Sequence, residues 1–155
     1  MLSNKSKYAL KALLFLAAKH ESGHGPVLIS ELAKKEKIPQ KFLEFILLGL
    51  KNKGILSSKK GKGGGYFLNR SPERITFGEI IRALDGPIAA VPCASQTSYR
   101  KCDDCIDEKT CGIRMVMKEA RDATSKVLDG ITLADALKRV ENAIEKEKGI
   151  LTYQI

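Results

Sequence analysis

Two short helical segments, separated by a proline and followed at once by a glycine-rich turn, constrain the fold more than any other feature of this chain. Proline disfavours helix at the residue before it and suits the start of a helix, so the step from Ile38 to Pro39 ends one helix and begins the next. The second helix has an inward apolar face, spaced as a helix requires, that consists of Leu43, Ile46, Leu47 and Leu50. Gly54 then ends it, so the segment is typical of the helix-turn-helix plan.

A β-hairpin is predicted directly after this pair of helices. Two short β-like runs, at residues 55–60 and 66–68, flank the glycine-rich turn 61–65. The turn region carries Lys59, Lys60 and Lys62, and its glycines allow the backbone to approach another chain closely. Such a basic hairpin contacts phosphates or a narrow minor groove as a wing, and a solvated basic loop is the competing interpretation. The glycine run has neither Walker nor dinucleotide spacing, which disfavours a nucleotide site.

The rest of the chain is also mainly helical. Helical patterns cover residues 5–20, 77–84 and 111–129, and a last helix follows Thr132. We expect Ser30 to cap the second helix and Thr76 to cap the fourth. The inward face of the last helix is predicted to contain Leu133, Ala136, Leu137, Val140 and Ile144. The sequence therefore predicts a mainly α fold with one small β-hairpin.

Positive charge is concentrated in the first half of the chain. Residues 1–70 hold 14 Lys or Arg and 4 Asp or Glu, a net charge of +10, whereas residues 71–155 hold 13 and 14, a net charge of −1. A basic module joined to a neutral one is typical of a nucleic-acid-binding protein. An anionic membrane surface is the competing partner. No apolar run approaches the roughly 20 residues that span a bilayer, so we expect no membrane-spanning segment.

The polar residues of the third helix match the chemistry of base edges. In a helix-turn-helix protein the N-terminal end of this helix faces the bases. Gln40 can pair with adenine, Lys41 with guanine, and Glu44 can accept from cytosine. Lys51, near the other end, suits a phosphate. With the three hairpin lysines, these residues make double-stranded DNA the expected partner.

All four cysteines of the protein lie within 19 residues, in the pattern C-x8-C-x2-C-x5-C. They are Cys93, Cys102, Cys105 and Cys111. Four clustered thiolates suit either a zinc ion or an iron–sulfur cluster, and the spacing leaves this choice open. Unrelated thiols and adventitious disulfides are the alternatives. Acidic residues between the cysteines are expected to disfavour the thiolate form. Clustered cysteines in a chain without a secretory signal indicate a reducing compartment, the cytoplasm.

A long apolar stripe follows the cysteines. It consists of Ile113, Val116, Met117, Ala120, Ala123, Thr124, Val127 and Leu128. Packing on the chain's own core explains part of such a stripe. A regulator that binds two DNA half-sites needs a dimer, and a pair of these helices would supply its interface. We therefore expect a homodimer.

The chain resembles the bacterial winged helix-turn-helix transcription regulators that include IscR, NsrR and CymR. The resemblance covers nearly the full length, and its most specific segment is the wing Gly61-Lys62-Gly63-Gly64-Gly65-Tyr66. Other matching segments are Lys7-Tyr8-Ala9-Leu10, Ile29-Ser30-Glu31-Leu32-Ala33, Phe42-Leu43-Glu44, Leu50-Lys51-Asn52-Lys53-Gly54-Ile55-Leu56, Phe77-Gly78-Glu79-Ile80-Ile81 and Ile131-Thr132-Leu133. The resemblance implies a homodimer with a long dimerisation helix, and it implies DNA contacts for Gln40, Lys41, Glu44 and Lys60.

The resemblance also implies a cofactor, because sensor members of the family bind an iron–sulfur cluster through three cysteines and one other ligand. Their usual pattern is C-x5-C-x5-C, and here only Cys105 and Cys111 keep that spacing. Cys93 matches the first ligand across a longer loop, and Cys102 is additional. The positions of the non-cysteine ligands are occupied here by Lys7 and Arg114. We therefore expect Cys102 to serve as the fourth ligand.

These patterns together predict three regions: a winged helix-turn-helix domain over residues 1–86, a cysteine-bearing sensor loop over 87–111, and the dimerisation and C-terminal helices over 112–155. The expected function is sequence-specific regulation of transcription, controlled by a thiol-ligated iron–sulfur cluster. The alternative is a structural zinc or a bare cysteine loop, with control by a partner protein or small molecule. No histidine lies beside a nucleophile and no carboxylate pair suggests a mechanism, so an enzyme is not expected.

Overall fold

A computed structural model describes residues 2–153 of the chain. The six helices are α1 (Asn4–Glu21), α2 (Ile29–Glu36), α3 (Gln40–Asn52), α4 (Phe77–Asp85), α5 (Gly112–Gly130) and α6 (Leu133–Tyr153). The two strands are β1 (Leu56–Lys59) and β2 (Gly65–Leu68), and short 3-10 turns occupy Pro72–Arg74 and Pro92–Ala94. The structure confirms the predicted fold class, which is mainly α with one small antiparallel sheet.

The core of the molecule forms around α1. Its buried face alternates small and large side chains, so neighbouring elements approach closely at Ala9, Ala12 and Ala17, while Leu13 and Leu16 fill the spaces between them. The elements that contact α1 are α2, α3, α4, α6 and β2. The first half of the chain and the start of the last helix therefore share one hydrophobic core.

The helix-turn-helix forms as the sequence predicts, with one difference at its first helix. The four apolar residues expected on the inward face of α3 are all fully buried. α2 ends at Glu36, and the left-handed backbone of its C-cap residue Lys37 (φ 54°) makes the tight turn before Pro39. Ser30, however, does not cap α2, which begins at Ile29 after an extended Leu28 and has no side-chain cap. The helix starts early because backbone pairing between Val27 and Tyr66 holds the chain extended up to that point.

The hairpin is tied to the helix-turn-helix by its backbone. In the register of the sheet Leu56 pairs with Leu68 and Lys59 with Gly65. Val27 adds a third, one-residue strand, since its N–H and carbonyl exchange hydrogen bonds of 2.9 and 2.8 Å with Tyr66. Gly65 has φ 141°, and a Cβ there would lie 2.2 Å from the Val27 carbonyl oxygen. The close approach that the glycines allow is therefore to a segment of the same chain.

The capped starts of α4 and α6 lie side by side and connect these two helices. Thr76 caps α4 as predicted, because its hydroxyl accepts from the N–H of Glu79. Thr132 and Asp135 cap each other's N–H groups at the start of α6, with distances of 3.0 and 3.1 Å. A one-pair β-bridge between Thr76 and Thr132 joins the two caps.

The inward face predicted for α6 is only partly correct. Leu133 is fully buried, and Ala136 and Leu137 are half-buried, but Val140 and Ile144 are 51% and 47% exposed. α6 extends beyond the small core, so its later apolar residues Val140 and Ile144 are largely exposed in this protomer. Among the described residues, no helix is long and apolar enough to cross a membrane.

Candidate DNA interface and cysteine cavity

The outer face of α3 exposes the polar residues that the sequence predicts to contact bases. Gln40, Lys41 and Glu44 are all solvent-exposed in the first turns of the helix. The Gln40 side-chain amide lies 3.5 Å from a carboxylate oxygen of Glu44, which brings the two side chains together. Pro39, the N-cap, provides no side-chain cap, so the first N–H groups of α3 remain available to an anion such as a phosphate.

Lys51, the phosphate contact predicted on α3, lies beside the hairpin. Lys51 donates a 2.6 Å hydrogen bond from Nζ to the hydroxyl of Ser58 on β1, which links α3 to the sheet. The three hairpin lysines are exposed at the end of β1 and in the turn. In the part of the chain that the structure describes, no ion pair involves Lys41, Lys51 or the hairpin lysines. Their charges are therefore not neutralised within the protomer.

The structure brings the four cysteines to one cavity of about 450 Å³ in front of α5. Cys93 lies in the 3-10 turn Pro92–Ala94 and is buried, whereas Cys102, Cys105 and Cys111 are half-buried. The thiol of Cys102 donates to the sulfur of Cys93 at an Sγ–Sγ distance of 3.7 Å. Cys111 is the N-cap residue of α5, so the cavity ends where that helix begins.

The cavity favours the protonated form of two of its thiols, those of Cys102 and Cys105. The pKa of Cys102 is raised, first by its hydrogen bond to Cys93 and also by desolvation and by Asp104. The pKa of Cys105 is raised by desolvation and by the nearby Cys111 and Glu108. Asp104 and Glu108 therefore raise the pKa of nearby thiols, as the sequence predicts for acidic residues between the cysteines. A cation that binds here would have to displace these protons.

The donor chemistry of the cavity suits a thiolate-ligated metal centre. Among the described residues, no group of three or more Cys, His, Asp or Glu side chains converges as one metal ion would require. Four thiols that line one cavity are donors that either a zinc ion or an iron–sulfur cluster takes. The exposed histidines His20 and His24 lie away from this cavity.

Two arginines of α5 fix the turn that carries Cys93. Arg114 donates from Nε to the carbonyl oxygen of Cys93 at 3.0 Å, and Arg121 donates to the carbonyl oxygen of Ala94. The side chain of Arg121 is almost fully buried and also pairs with Asp122. The sequence patterns did not predict that Arg114 and Arg121 hold this turn. The pattern that could have indicated it is the seven-residue spacing, which places both arginines on one face of the helix.

The apolar stripe of α5 divides into two faces. Met117 and Leu128 are half-buried against the protomer, on the same side as the arginines. Ile113, Val116 and Val127 are 69%, 58% and 60% exposed, with the exposed Ala120 and Ala123 between them. None of the apolar residues of α5 is fully buried. An exposed apolar stripe of this length is typical of an interaction surface.

Comparison with known proteins agrees with this geometry. A family model described as "Rrf2: Iron-dependent Transcriptional regulator" matches residues 2–139. An rrf2-like HTH-type transcriptional regulator of Rhodobacter capsulatus is 43% identical over 139 residues, which are 88% of this chain and 92% of that protein.

Two solved structures are similar throughout. The first is CymR, the global cysteine regulator of B. subtilis, with a TM-score of 0.74 and 34% identity over 90% of this chain and 97% of that one. The second is IscR of T. potens, with a TM-score of 0.73 and 30% identity over 92% of this chain and 90% of that one. The named relatives are transcriptional regulators and not enzymes. The chain belongs to the Rrf2 family of winged-helix transcriptional regulators.

Proposed function

We propose that this regulator binds specific double-stranded DNA sequences as a homodimer, with α3 in the major groove and the hairpin along the phosphate backbone. The exposed residues of α3 and the unneutralised lysines beside them support this arrangement. Phosphate contacts set affinity and position, whereas Gln40, Lys41 and Glu44 select bases. Its cysteines are free thiols, and its proposed partner is DNA. We therefore place it in the cytoplasm, where cysteines stay reduced.

The dimer forms through the exposed stripe of α5. Ile113, Val116 and Val127 face solvent in the protomer, and covering them removes apolar surface from water. Two copies related by a two-fold axis would present two α3 helices to two half-sites of the operator.

The cysteine cavity holds an iron–sulfur cluster, and the state of that cluster controls affinity for DNA. The observation that carries this proposal is that all four thiols line one cavity next to the start of α5. Cys93, Cys102, Cys105 and Cys111 would be its ligands, and the cluster would supply a redox-sensitive centre. Because α5 both borders the cavity and carries the dimer stripe, a change at the cavity alters the spacing of the two DNA-binding halves. Binding of the centre and binding of DNA are then reciprocally linked.

Anaerobic purification tests this proposal. We expect iron, acid-labile sulfide and charge-transfer absorption, all reduced in Cys105→Ser. Ile106→Ala is the matched control, because Ile106 lines the cavity but offers no donor atom, and it should retain the iron. An operator enriched from random DNA should bind at least about 10³-fold more tightly than random DNA. Protein without iron and sulfide would refute the cluster, and equal binding to all DNA would refute sequence-specific regulation.

A bare thiol switch is the second candidate, favoured by the 3.7 Å contact between Cys93 and Cys102. A low-molecular-weight disulfide is the oxidant. The more accessible Cys102 sulfur attacks one sulfur of this oxidant and releases the other as a thiol. The Cys93 sulfur then attacks the Cys102 sulfur, forms the Cys93–Cys102 bond and releases the second thiol. The two protons from the protein thiols pass to the two released thiols.

Peptide mapping after treatment of the metal-free protein with oxidised glutathione separates the two candidates. The thiol switch predicts a peptide that links Cys93 to Cys102, lost in Cys102→Ser and retained in Cys105→Ser, together with a change in DNA affinity. A metal-free protein whose DNA affinity does not respond to this treatment would exclude the thiol switch. Stoichiometric zinc in the purified protein, with unregulated DNA binding, would instead indicate a structural metal.

A further inference from the structure

The outward face of α3 carries two apolar side chains that the fold does not need. Phe45 is 63% exposed and Leu48 is 51% exposed, whereas the four apolar residues of the opposite face are fully buried. A helix that packs against a core needs one apolar stripe, and α3 has that stripe without these two residues. Because they are three residues apart on one helix, the two side chains form a contiguous apolar patch, which is the feature that marks a contact surface.

The neighbours of this pair point to DNA as the occupant. Lys41 and Leu48 are seven residues apart, nearly two helical turns, so they lie on the same face of α3. Glu44, four residues before Leu48, also lies on this face. Lys51 lies on the same face one turn further on and is exposed. The lysines on this face and in the neighbouring hairpin complement the phosphates that line the major groove. The apolar pair between them would then face the edges of the bases. The hydrophobic group that the major groove offers is the C5-methyl of thymine.

We propose that Phe45 and Leu48 recognise thymine methyl groups in the operator. This inference rests on the proposed binding of α3 in the major groove. Phe45 and Leu48 are three residues apart, which separates them by about 4.5 Å along the helix axis. This distance is close to the rise of about 3.4 Å between base pairs. The two side chains therefore contact thymines at the same or neighbouring base-pair steps, further along the groove than the bases that face Gln40.

Replacement of thymine by uracil tests the inference, since it removes the methyl group and leaves every hydrogen-bonding atom of the base. The probe is a duplex enriched from a random-sequence pool by the full-length protein. Each thymine is replaced by uracil in turn, and the Kd is measured by fluorescence anisotropy at fixed salt. We expect about a fourfold loss of affinity at each contacted thymine, the effect of one buried carbon group.

The protein variants assign that loss to the two side chains. Phe45→Ala and Leu48→Ala should bind thymine and uracil duplexes equally at the position each one contacts, and both should unfold at the wild-type temperature because both residues are exposed. Lys51→Ala is the matched control on the same helix. It should weaken binding to both duplexes by the same factor, since a phosphate contact does not sense the methyl group.

The outcomes are distinct. A wild-type protein that binds thymine and uracil duplexes equally, or variants that still distinguish them, would overturn the inference while leaving sequence-specific binding intact. If Phe45→Ala and Leu48→Ala instead change the oligomeric state, the face is a contact between copies of the chain and the inference is wrong. If no sequence is enriched from the pool, the proposed function fails and this inference fails with it.

Discussion

Single residues on the exposed surface determine how this protein would hold DNA. Lys59, Lys60 and Lys62 lie at the end of β1 and in the hairpin turn, and none of them forms an ion pair among the described residues. We therefore expect these lysines to contribute to DNA affinity in a way that depends on salt and not on base sequence, whereas Glu44 is expected to select bases.

Replacing the three hairpin lysines by alanine should flatten the salt dependence of DNA binding. Each phosphate contact that is lost reduces the slope of log K against log salt by about 0.9. We expect the triple variant to lose up to about three such contacts, with equal effects on operator and random DNA. A salt titration of Kd measures this slope. An unchanged slope would show that the hairpin does not contact phosphates.

Glu44 differs from the lysines because a carboxylate repels phosphates and can only accept from a base. Glu44→Ala should therefore relax the preference for particular bases more than it lowers the affinity for random DNA. Enrichment of a random pool by the variant measures this. Uniform weakening over all sequences would contradict a role in base selection.

At the scale of the elements, an ion pair holds α4 against the end of α5. Arg82 holds Asp129 through two hydrogen bonds of 2.6 and 2.9 Å. Gly78 lies beneath them, and a Cβ there would be 1.9 Å from an Asp129 carboxylate oxygen. Because Gly78 has no side chain, the Asp129 carboxylate can lie against α4 and reach Arg82.

The intact ion pair should make the stability of the protein depend on pH in the acid range. The hydrogen bond from Arg82 lowers the pKa of Asp129 below its usual value. A lowered pKa in the folded state gives stability that is fully present above the unfolded pKa of about 3.9 and is lost as the pH falls through the lower folded value. Because both side chains are partly exposed, we expect Asp129→Asn to cost about 0.5–1 kcal/mol at pH 7 and less near pH 3. Denaturant unfolding at several pH values measures this.

Gly78→Ala offers an internal check on the same contact. Alanine favours a helix over glycine by about 1 kcal/mol, but in the wild type that gain is offset because the methyl group displaces Asp129. In an Asp129→Ala background, Gly78→Ala should therefore stabilise the protein. Equal effects of Gly78→Ala in both backgrounds would show that the ion pair does not occupy the space above Gly78.

The two arginines of α5 should control access to Cys93. Removal of Arg114 and Arg121 takes away the donors to the carbonyl groups of Cys93 and Ala94. Charge-assisted hydrogen bonds contribute about 1.5–3 kcal/mol, so we expect the double alanine variant to alkylate at Cys93 at least about tenfold faster. Mass spectrometry after timed exposure to iodoacetamide measures this rate. Arg139→Ala is the control, and equal rates in the double variant and wild type would contradict the role.

The sequence predicts elements of this kind well where a local pattern determines them. Thr76 and Glu79 form the cap that their spacing predicts, and the buried face of α3 is correct at every position. Ser30 failed as a cap because Tyr66, far along the chain, pairs with Val27 and starts the helix earlier. The contacts of Arg114 and Arg121 likewise depend on a loop about 20 residues away, which local periodicity does not describe.

At the scale of the whole molecule, the face of α5 with Ile113, Val116 and Val127 is an apolar surface that the protomer leaves exposed. A glutamate at Val116 or Val127 should prevent dimerisation, because a charge would be buried in an apolar interface. The variants should stay folded, since both side chains are exposed in the protomer. Light scattering should show monomers, with weaker operator binding because only one half-site is held. Lys118→Glu, on the opposite face, should remain dimeric, and a dimeric Val116→Glu would place the interface elsewhere.

The backbone pairing of Val27 with Tyr66 has a consequence for how control could operate. Together with the hydrogen bond between Lys51 and Ser58, it fastens the hairpin to both helices of the DNA-binding unit. Because of these bonds we expect the hairpin to move with the two helices, so that each half of a dimer approaches DNA as one body. The variable open to regulation is then the relative placement of two such bodies. We therefore expect the control of affinity to depend strongly on the number of base pairs between half-sites.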